Sequence, residues 1–448
     1  MRTSHLFDET IKGVLKGTLL VGIVQAIGIV VSFLSQVILA RTVGPEIFGM
    51  YSFVWSLAIV LGTVLGVGLP TLGTRLISQG FETGEVPIVR GVSIFGVLFP
   101  LGISSIITLL FFLILPFFGE DVILKLDLLS KALILLPSLC VILLLTNYLK
   151  AWGLPAFSHV TTGTFIPLLL LGYSFYFHTE SDSIDDLIIF LFFGLALLLI
   201  IELIVAWHGV LKKEGVNLLV GTKVFKQKQW LILAFPLLIL ALARVAQTQA
   251  DILILGFYAD PIDLGSFSAS KRVSMIVGAI LMASNSIVVP KIARLYKAGK
   301  IKELQTLLTK ITSITWILSA ILGLFLALFS THLLSLFDPS FASQSNILTI
   351  LILGQIVNVG FGPTAFLLSM TGNEKILAKT MVISMFITTI AMFFLVSEFG
   401  ISGAAYGSAL CITLWNFMLW VVGVKVLNID PSVIRTVTLL FHRGARYE

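Results

Sequence analysis

Apolar residues in this chain fall into long runs, such as Leu187–Val205, separated by short polar segments. A barrel strand would show about ten residues of alternating polarity, whereas a membrane-spanning helix needs roughly twenty consecutive apolar residues. The runs have helical length. Backbone groups in lipid must also be paired within the chain, which leaves helices as the reading. The pattern predicts about twelve spans, approximately 15–40, 51–69, 91–117, 131–149, 155–177, 187–208, 230–256, 265–289, 308–330, 345–368, 376–396 and 402–424.

Composition supports lipid as the main solvent. Of 448 residues, 57% are hydrophobic and 12% charged, against roughly 25% charged in an ordinary soluble domain. The first apolar stretch continues to Ala40 without a small-residue cleavage site, so it is read as a retained span. Cys140 and Cys411 lie far apart in apolar runs, and no Cys/His spacing suggests a disulfide framework or a metal site.

The net charge of +6 changes meaning once the loops are considered. With the N-terminus inside, 23 of the 29 Lys and Arg fall in inner segments, among them Lys212, Lys213, Lys223, Lys226, Lys228, Arg443 and Arg446. Arg41, Lys125 and Lys131 fall at outer ends, and Arg244, Lys271 and Arg272 fall inside spans. The positive-inside rule then predicts both termini in the cytoplasm and a multi-pass protein of the cell membrane. The charge reports topology and anionic-lipid contact, with no nucleic-acid partner expected.

The basic 212–228 loop leaves six spans on each side, giving expected domains 1–220 and 221–448. Ile38–Ser52 (ILARTVGPEIFGMYS) aligns with Ile254–Ser268 (ILGFYADPIDLGSFS) at an offset of 216, with Ile, Leu, Pro, Gly and Ser shared. Each copy ends a span, turns through Pro and Gly on the outer side and enters the next. Six spans per half preserve orientation, as in a parallel repeat about the membrane normal.

Several stretches then resemble a known family. They are Ala40–Phe53 (ARTVGPEIFGMYSF), Phe235–Pro236 followed by Asp251 and Gly256, Pro290–Gly299 (PKIARLYKAG) and Met370–Lys375 (MTGNEK). Their order and spacing resemble the polysaccharide exporter flippases, relatives of lipid II flippases and of multidrug and toxin extrusion transporters. The resemblance covers nearly the whole chain. It implies an all-α polytopic membrane protein of two six-helix bundles around a central cavity that opens alternately to each side. The implied cargo is a polyprenyl-diphosphate-linked oligosaccharide carried to the outer leaflet for surface polysaccharide such as O-antigen, with glycan polymerases or other assembly proteins as partners. Twelve spans, where fourteen are usual in the lipid II branch, weigh against peptidoglycan precursor.

The polar residues inside spans nominate a site. An ionisable group at mid-membrane costs about 2.5–3.5 kcal/mol on insertion scales, so it normally faces protein or water. Arg244, Thr248 and Asp251 share one helical face, with Gln247 beside them. They make either a cavity-lining anion site, suited to diphosphate, or a structural Arg244–Asp251 pair. Lys271 and Arg272 are about 100° apart around their helix, so one can serve the site while the other goes to the interface or a structural pair. Arg41 is either an interface anchor or a ligand. Glu202 is either an ion-coupling carboxylate or a hydrogen-bonded structural group. Gln25, Gln36, Asn147, Asn285, Gln355, Asn358 and Asn416 fit interhelical hydrogen bonds, and some are expected to touch glycan. Gly62 and Gly66 suggest a close helix crossing.

Enzyme classes fare worse. HExxH, G-x-S-x-G and P-loop patterns are lacking, and no cofactor is implied. A membrane glycan polymerase or ligase needs a larger outer loop than the longest one expected here, about 331–344. A multidrug antiporter remains an alternative, although acidic residues would be expected to dominate its cavity.

Overall fold

The computed structural model describes residues 2–176 and 183–436; Arg443 and Arg446, counted above among the inner cations, lie outside them. The described residues are mostly helical, with no strand among them. In chain order the helices are α1 (Arg2–Leu65), α2 (Leu69–Thr83), α3 (Val86–Ile114), α4 (Glu120–Ala151), α5 (Pro155–Val160), α6 (Ile166–Tyr176) and α7 (Ile184–Glu214). They continue as α8 (Gln227–Leu255), α9 (Pro261–Lys297), α10 (Ile301–Leu328), α11 (Ser330–Ser335), α12 (Ser345–Gly360), α13 (Thr364–Met370) and α14 (Glu374–Leu427).

Nine helical stretches among the described residues are long and apolar enough to cross a membrane. Three local features account for the difference from twelve. Helix α1 joins the first two expected spans across Gly44 (φ 80°, ψ 168°), and α14 joins the last two across Gly400 (φ 54°, ψ −128°). Only glycine adopts such backbone angles readily. The fifth expected span is broken into α5, a π-helical turn at Thr161–Phe165 and α6. Helix α2 was missed, because its fifteen amphipathic residues make a poor span.

The chain divides into two compact units, residues 1–245 and 246–448, with the division inside α8. In the first unit α4 is the central post and packs against α1, α2, α3, α5 and α7. Its Leu135, Leu139, Ile142, Leu145 and Tyr148 are buried, whereas Leu98, Ile106, Leu109 and Leu113 of α3 are exposed. Exposed apolar rows of that length are lipid-facing surface. Two glycines fix how closely α2 and α3 approach the post: a Cβ on Gly73 or Gly96 would overlap the Tyr148 phenol. Gly62 lies on Cys140 of α4, whose thiol donates to the Gly62 carbonyl at 3.4 Å, so the close crossing expected there is present. At the start of α4, Lys131 is buried and paired with Asp127 and, at 3.1 Å, with Asp185 of α7. The basic linker is tied back to α3 by Arg90 Nε donating to the Asn217 carbonyl (2.7 Å) and Val224 N–H donating to the Pro87 carbonyl (3.0 Å).

In the second unit α12 is central, packing on α9, α10 and α14. Small residues allow close approach: a Cβ on Gly354 would come within 3.0 Å of Ala409, and one on Gly278 within 2.9 Å of the Gln355 amide oxygen. A polar knot lies near the end of the described chain. Gln305 donates to the Asp430 carbonyl (2.6 Å) and accepts from its N–H (2.8 Å), while the Trp420 indole donates to the Asp430 carboxylate at 2.8 Å.

The repeat seen in the sequence has a structural counterpart in each unit. Pro45 begins the second segment of α1 after Gly44, and Pro261 begins α9 after Asp260. Proline is well suited to a first helical position, where its missing N–H is not needed. Burial follows the same offset: Leu39 and Leu255, Phe48 and Leu264, Tyr51 and Phe267, and Ser52 and Ser268 are all buried.

Candidate functional site

A cavity of about 220 Å³ lies within residues 246–448, lined by α8, α9, α12 and the second segment of α14. Such a polar hollow in an apolar bundle exists because each helix contributes one or two hydrogen-bonding residues to the same level. Helix α8 supplies Gln247, Thr248 and Asp251, and α9 supplies Lys271. Helix α12 supplies Gln355 and Asn358, which at i, i+3 share a face. Helix α14 adds Ser408, Trp415 and Asn416.

Charge in the cavity is balanced locally. The Lys271 ammonium donates to Asp251 Oδ1 at 2.7 Å and to the Thr248 carbonyl at 2.5 Å. Asp251, only 4% exposed, also accepts from the Ile252 N–H (2.8 Å) and, through Oδ2, from the Ser408 hydroxyl (2.8 Å). Both carboxylate oxygens are therefore satisfied, as a buried charge requires. A second polar row runs beside the pair. Asn416 Nδ2 donates to Asn358 Oδ1 at 2.9 Å and to the Ile412 carbonyl at 2.9 Å, and Asn358 Nδ2 donates to Gln355 Oε1 at 3.1 Å. Gln247 reaches the Ser384 hydroxyl at 3.5 Å.

This arrangement sorts the sequence candidates. Asp251, Gln247 and Lys271 come together in one cavity; of the adjacent cations, Lys271 lines it and Arg272 does not. The sequence left Asp251 as a cavity-lining group beside Arg244 or as its structural partner. In the structure its carboxylate is held by Lys271 from α9. Arg244 is exposed on α8 and does not line this cavity, and Arg41 is exposed just before the Gly44 break. Glu202 lies in the other unit on α7, fully buried, with the Thr161 side chain beside its carboxyl group and no hydrogen bond of full geometry to either oxygen among the described residues.

Two features escaped the sequence reading. Ser408 is a common residue in a span, and nothing in its neighbourhood marks it. The amides of Gln355, Asn358 and Asn416 were among the polar span residues, but their union depends on the close α9–α12 and α12–α14 approaches at Gly278 and Gly354.

The family model described as polysaccharide biosynthesis protein matches residues 14–296, more than half of the chain. The chain belongs to that family. The MatE family model matches residues 236–395 of the chain, a stretch that includes Asp251, Lys271, Gln355 and Asn358. No curated protein matches the sequence. Among solved structures, the chain is similar to an inward-facing multidrug resistance MATE family transporter of the MOP superfamily, with 12% identity over 90% of this chain and 97% of that one and a TM-score of 0.67. It is also similar to an outward-facing transporter of that family, at 14% identity over 91% and 94% of the two chains (TM-score 0.59). The bent form of the Vibrio cholerae MATE transporter VcmN gives 16% identity, coverage of 89% and 98%, and a TM-score of 0.51. At these identities the likeness shows the fold, which is that of these transporters and agrees with the all-α membrane protein expected from the sequence.

Proposed function

We propose that this protein is a flippase that moves a polyprenyl-diphosphate-linked oligosaccharide from the cytoplasmic to the outer leaflet of the cell membrane by alternating access, for surface polysaccharide assembly. The observation that carries the reading is the hydrogen-bonding cavity in residues 246–448, set in a chain of the polysaccharide biosynthesis family. Amide, hydroxyl and indole groups suit a hydroxyl-rich cargo, and the exposed apolar helix faces suit a lipid-attached one. On this reading the 212–228 loop and both termini are cytoplasmic, as the distribution of Lys and Arg favours. Domains 1–220 and 221–448 carry six spans each. We assign the cargo diphosphate to Arg244, a guanidinium being able to grip phosphate oxygens with two parallel donors. Arg41 and Arg272 are secondary contacts, and Glu202 is the carboxyl group assigned to ion coupling.

A drug-extrusion reading is favoured by one observation, the MatE match across residues 236–395. Deleting the gene separates the two. The flippase reading expects lipid-linked oligosaccharide to accumulate in the cytoplasmic leaflet and surface glycan to be lost, with Arg244→Ala failing to complement at normal membrane abundance. Unchanged glycan with altered drug tolerance would establish extrusion instead.

A further inference from the structure

We propose that the cavity in residues 246–448 is a subsite for one sugar ring of the cargo, read by the amide row and Trp415, and that its Asp251–Lys271 pair does not capture the diphosphate. The inference rests on the flippase reading above and assigns this cavity a part in it.

A phosphate site needs a cation with charge to spare. The Lys271 ammonium is committed to a carboxylate at 2.7 Å and a carbonyl at 2.5 Å. A diphosphate reaching Lys271 would lie within a few ångströms of the Asp251 carboxylate that the ammonium already holds at 2.7 Å, and that repulsion offsets much of the attraction. A neutral polyol meets no such opposition. The pair then acts as a fixed polar wall, with its charges cancelled and its geometry held by Ser408.

The amides have the chemistry that hydroxyls need. Each primary amide offers two donors and a carbonyl acceptor, so neighbouring amides can meet vicinal hydroxyls whichever way these are turned. The row runs in one direction, from Asn416 to Asn358 to Gln355. It therefore presents donors at its Gln355 end and an acceptor at its Asn416 end, a polarity that distinguishes sugars differing only in the orientation of one hydroxyl. Trp415 supplies an apolar face for the C–H side of a ring. Size points the same way: about 220 Å³ is less than the roughly 300–1,000 Å³ of pockets for drug-sized ligands, enough for one ring and too little for a whole glycan.

The test uses the full-length protein in detergent and three synthetic lipids sharing one polyprenyl diphosphate: one bearing N-acetylglucosamine, one bearing galactose and one without sugar. At least one sugar-bearing lipid should bind ten-fold or more tightly than the sugar-free lipid. In Asn358→Leu and in Trp415→Ala that ratio should fall below three-fold, read on the monodisperse fraction so that misfolded protein does not contribute. Trp415→Phe, which keeps an aromatic face, should recover most of the ratio. Equal binding of all three lipids, or a ratio unmoved by the variants, would overturn the sugar subsite and leave the flippase reading standing. Binding of none of the three would remove both.

Discussion

The two copies of the repeat are alike in packing and different in chemistry. Leu39, Phe48, Tyr51 and Ser52 in the first unit are as buried as Leu255, Leu264, Phe267 and Ser268 in the second, and a proline starts the second helix of each copy. Four residues before each leucine of the offset pair and three after each serine the likeness ends. Where the second copy has Asp251 and Lys271, the same offset gives Ser35 and Trp55 in the first. Ser35 is fully buried and bonds only locally, to the Ser32 carbonyl, whereas Asp251 ties α8 to α9 and to α14. A duplicated scaffold thus keeps its packing positions, where any change is felt by neighbours, and is free to vary at positions facing a cavity.

The sharpest way to break this comparison is to remove half of the charge pair. Lys271→Met leaves the buried Asp251 carboxylate without its ammonium and should cost about 3–5 kcal/mol, the range for stranding one member of a buried ion pair. Thermal unfolding in detergent and membrane abundance report it. Adding Asp251→Asn removes the stranded charge and should restore most of the stability. Equal losses in the single and double variants would show that the pair is incidental to the unit's fold.

A smaller effect tests the scaffold itself. Gly96→Ala places a methyl group against the Tyr148 phenol and should cost about 1–3 kcal/mol by overpacking. Gly102→Ala on the same helix meets nothing within 4 Å and should leave stability unchanged or raise it by up to about 1 kcal/mol. Melting temperatures that fall equally in both would contradict α4 as the tight post of the first unit.

The smallest effect is expected at Glu202. Its carboxyl group has the Thr161 side chain beside it but no hydrogen bond of full geometry to either oxygen among the described residues, so Glu202→Leu gives up little and should leave stability within about 1 kcal/mol or raise it. Full abundance with lost transport would place the residue in coupling. A large loss of stability would reveal a structural bond instead.

Much of this was legible in the sequence, for physical reasons. Helix type and most span positions follow from the length of apolar runs, and the breaks at Gly44 and Gly400 fall between the expected spans because glycine permits the turn. Asp251 and Lys271 each stood out as charges inside spans. Their pairing did not, because it depends on how the turn at 256–260 phases α9 against α8, and helical periodicity within one element carries no such information. Arg244, seven residues from Asp251 on the same face, was the nearer candidate by sequence, whereas Lys271 comes from the next helix and pairs with the carboxylate at 2.7 Å. The amide row was hidden for a similar reason: the Asn and Gln residues in spans are chemically alike, and the close approaches at Gly278 and Gly354 bring three of them into line.

Reconstitution tests the central claim most directly. Purified protein in liposomes carrying a polyprenyl-diphosphate-linked oligosaccharide in the inner leaflet should raise, over protein-free liposomes, the fraction of glycan reached by a membrane-impermeant sugar oxidase. Arg244→Ala should abolish the rise. An accessible fraction equal to that of protein-free liposomes, from a preparation that moves a cationic dye, would contradict the account.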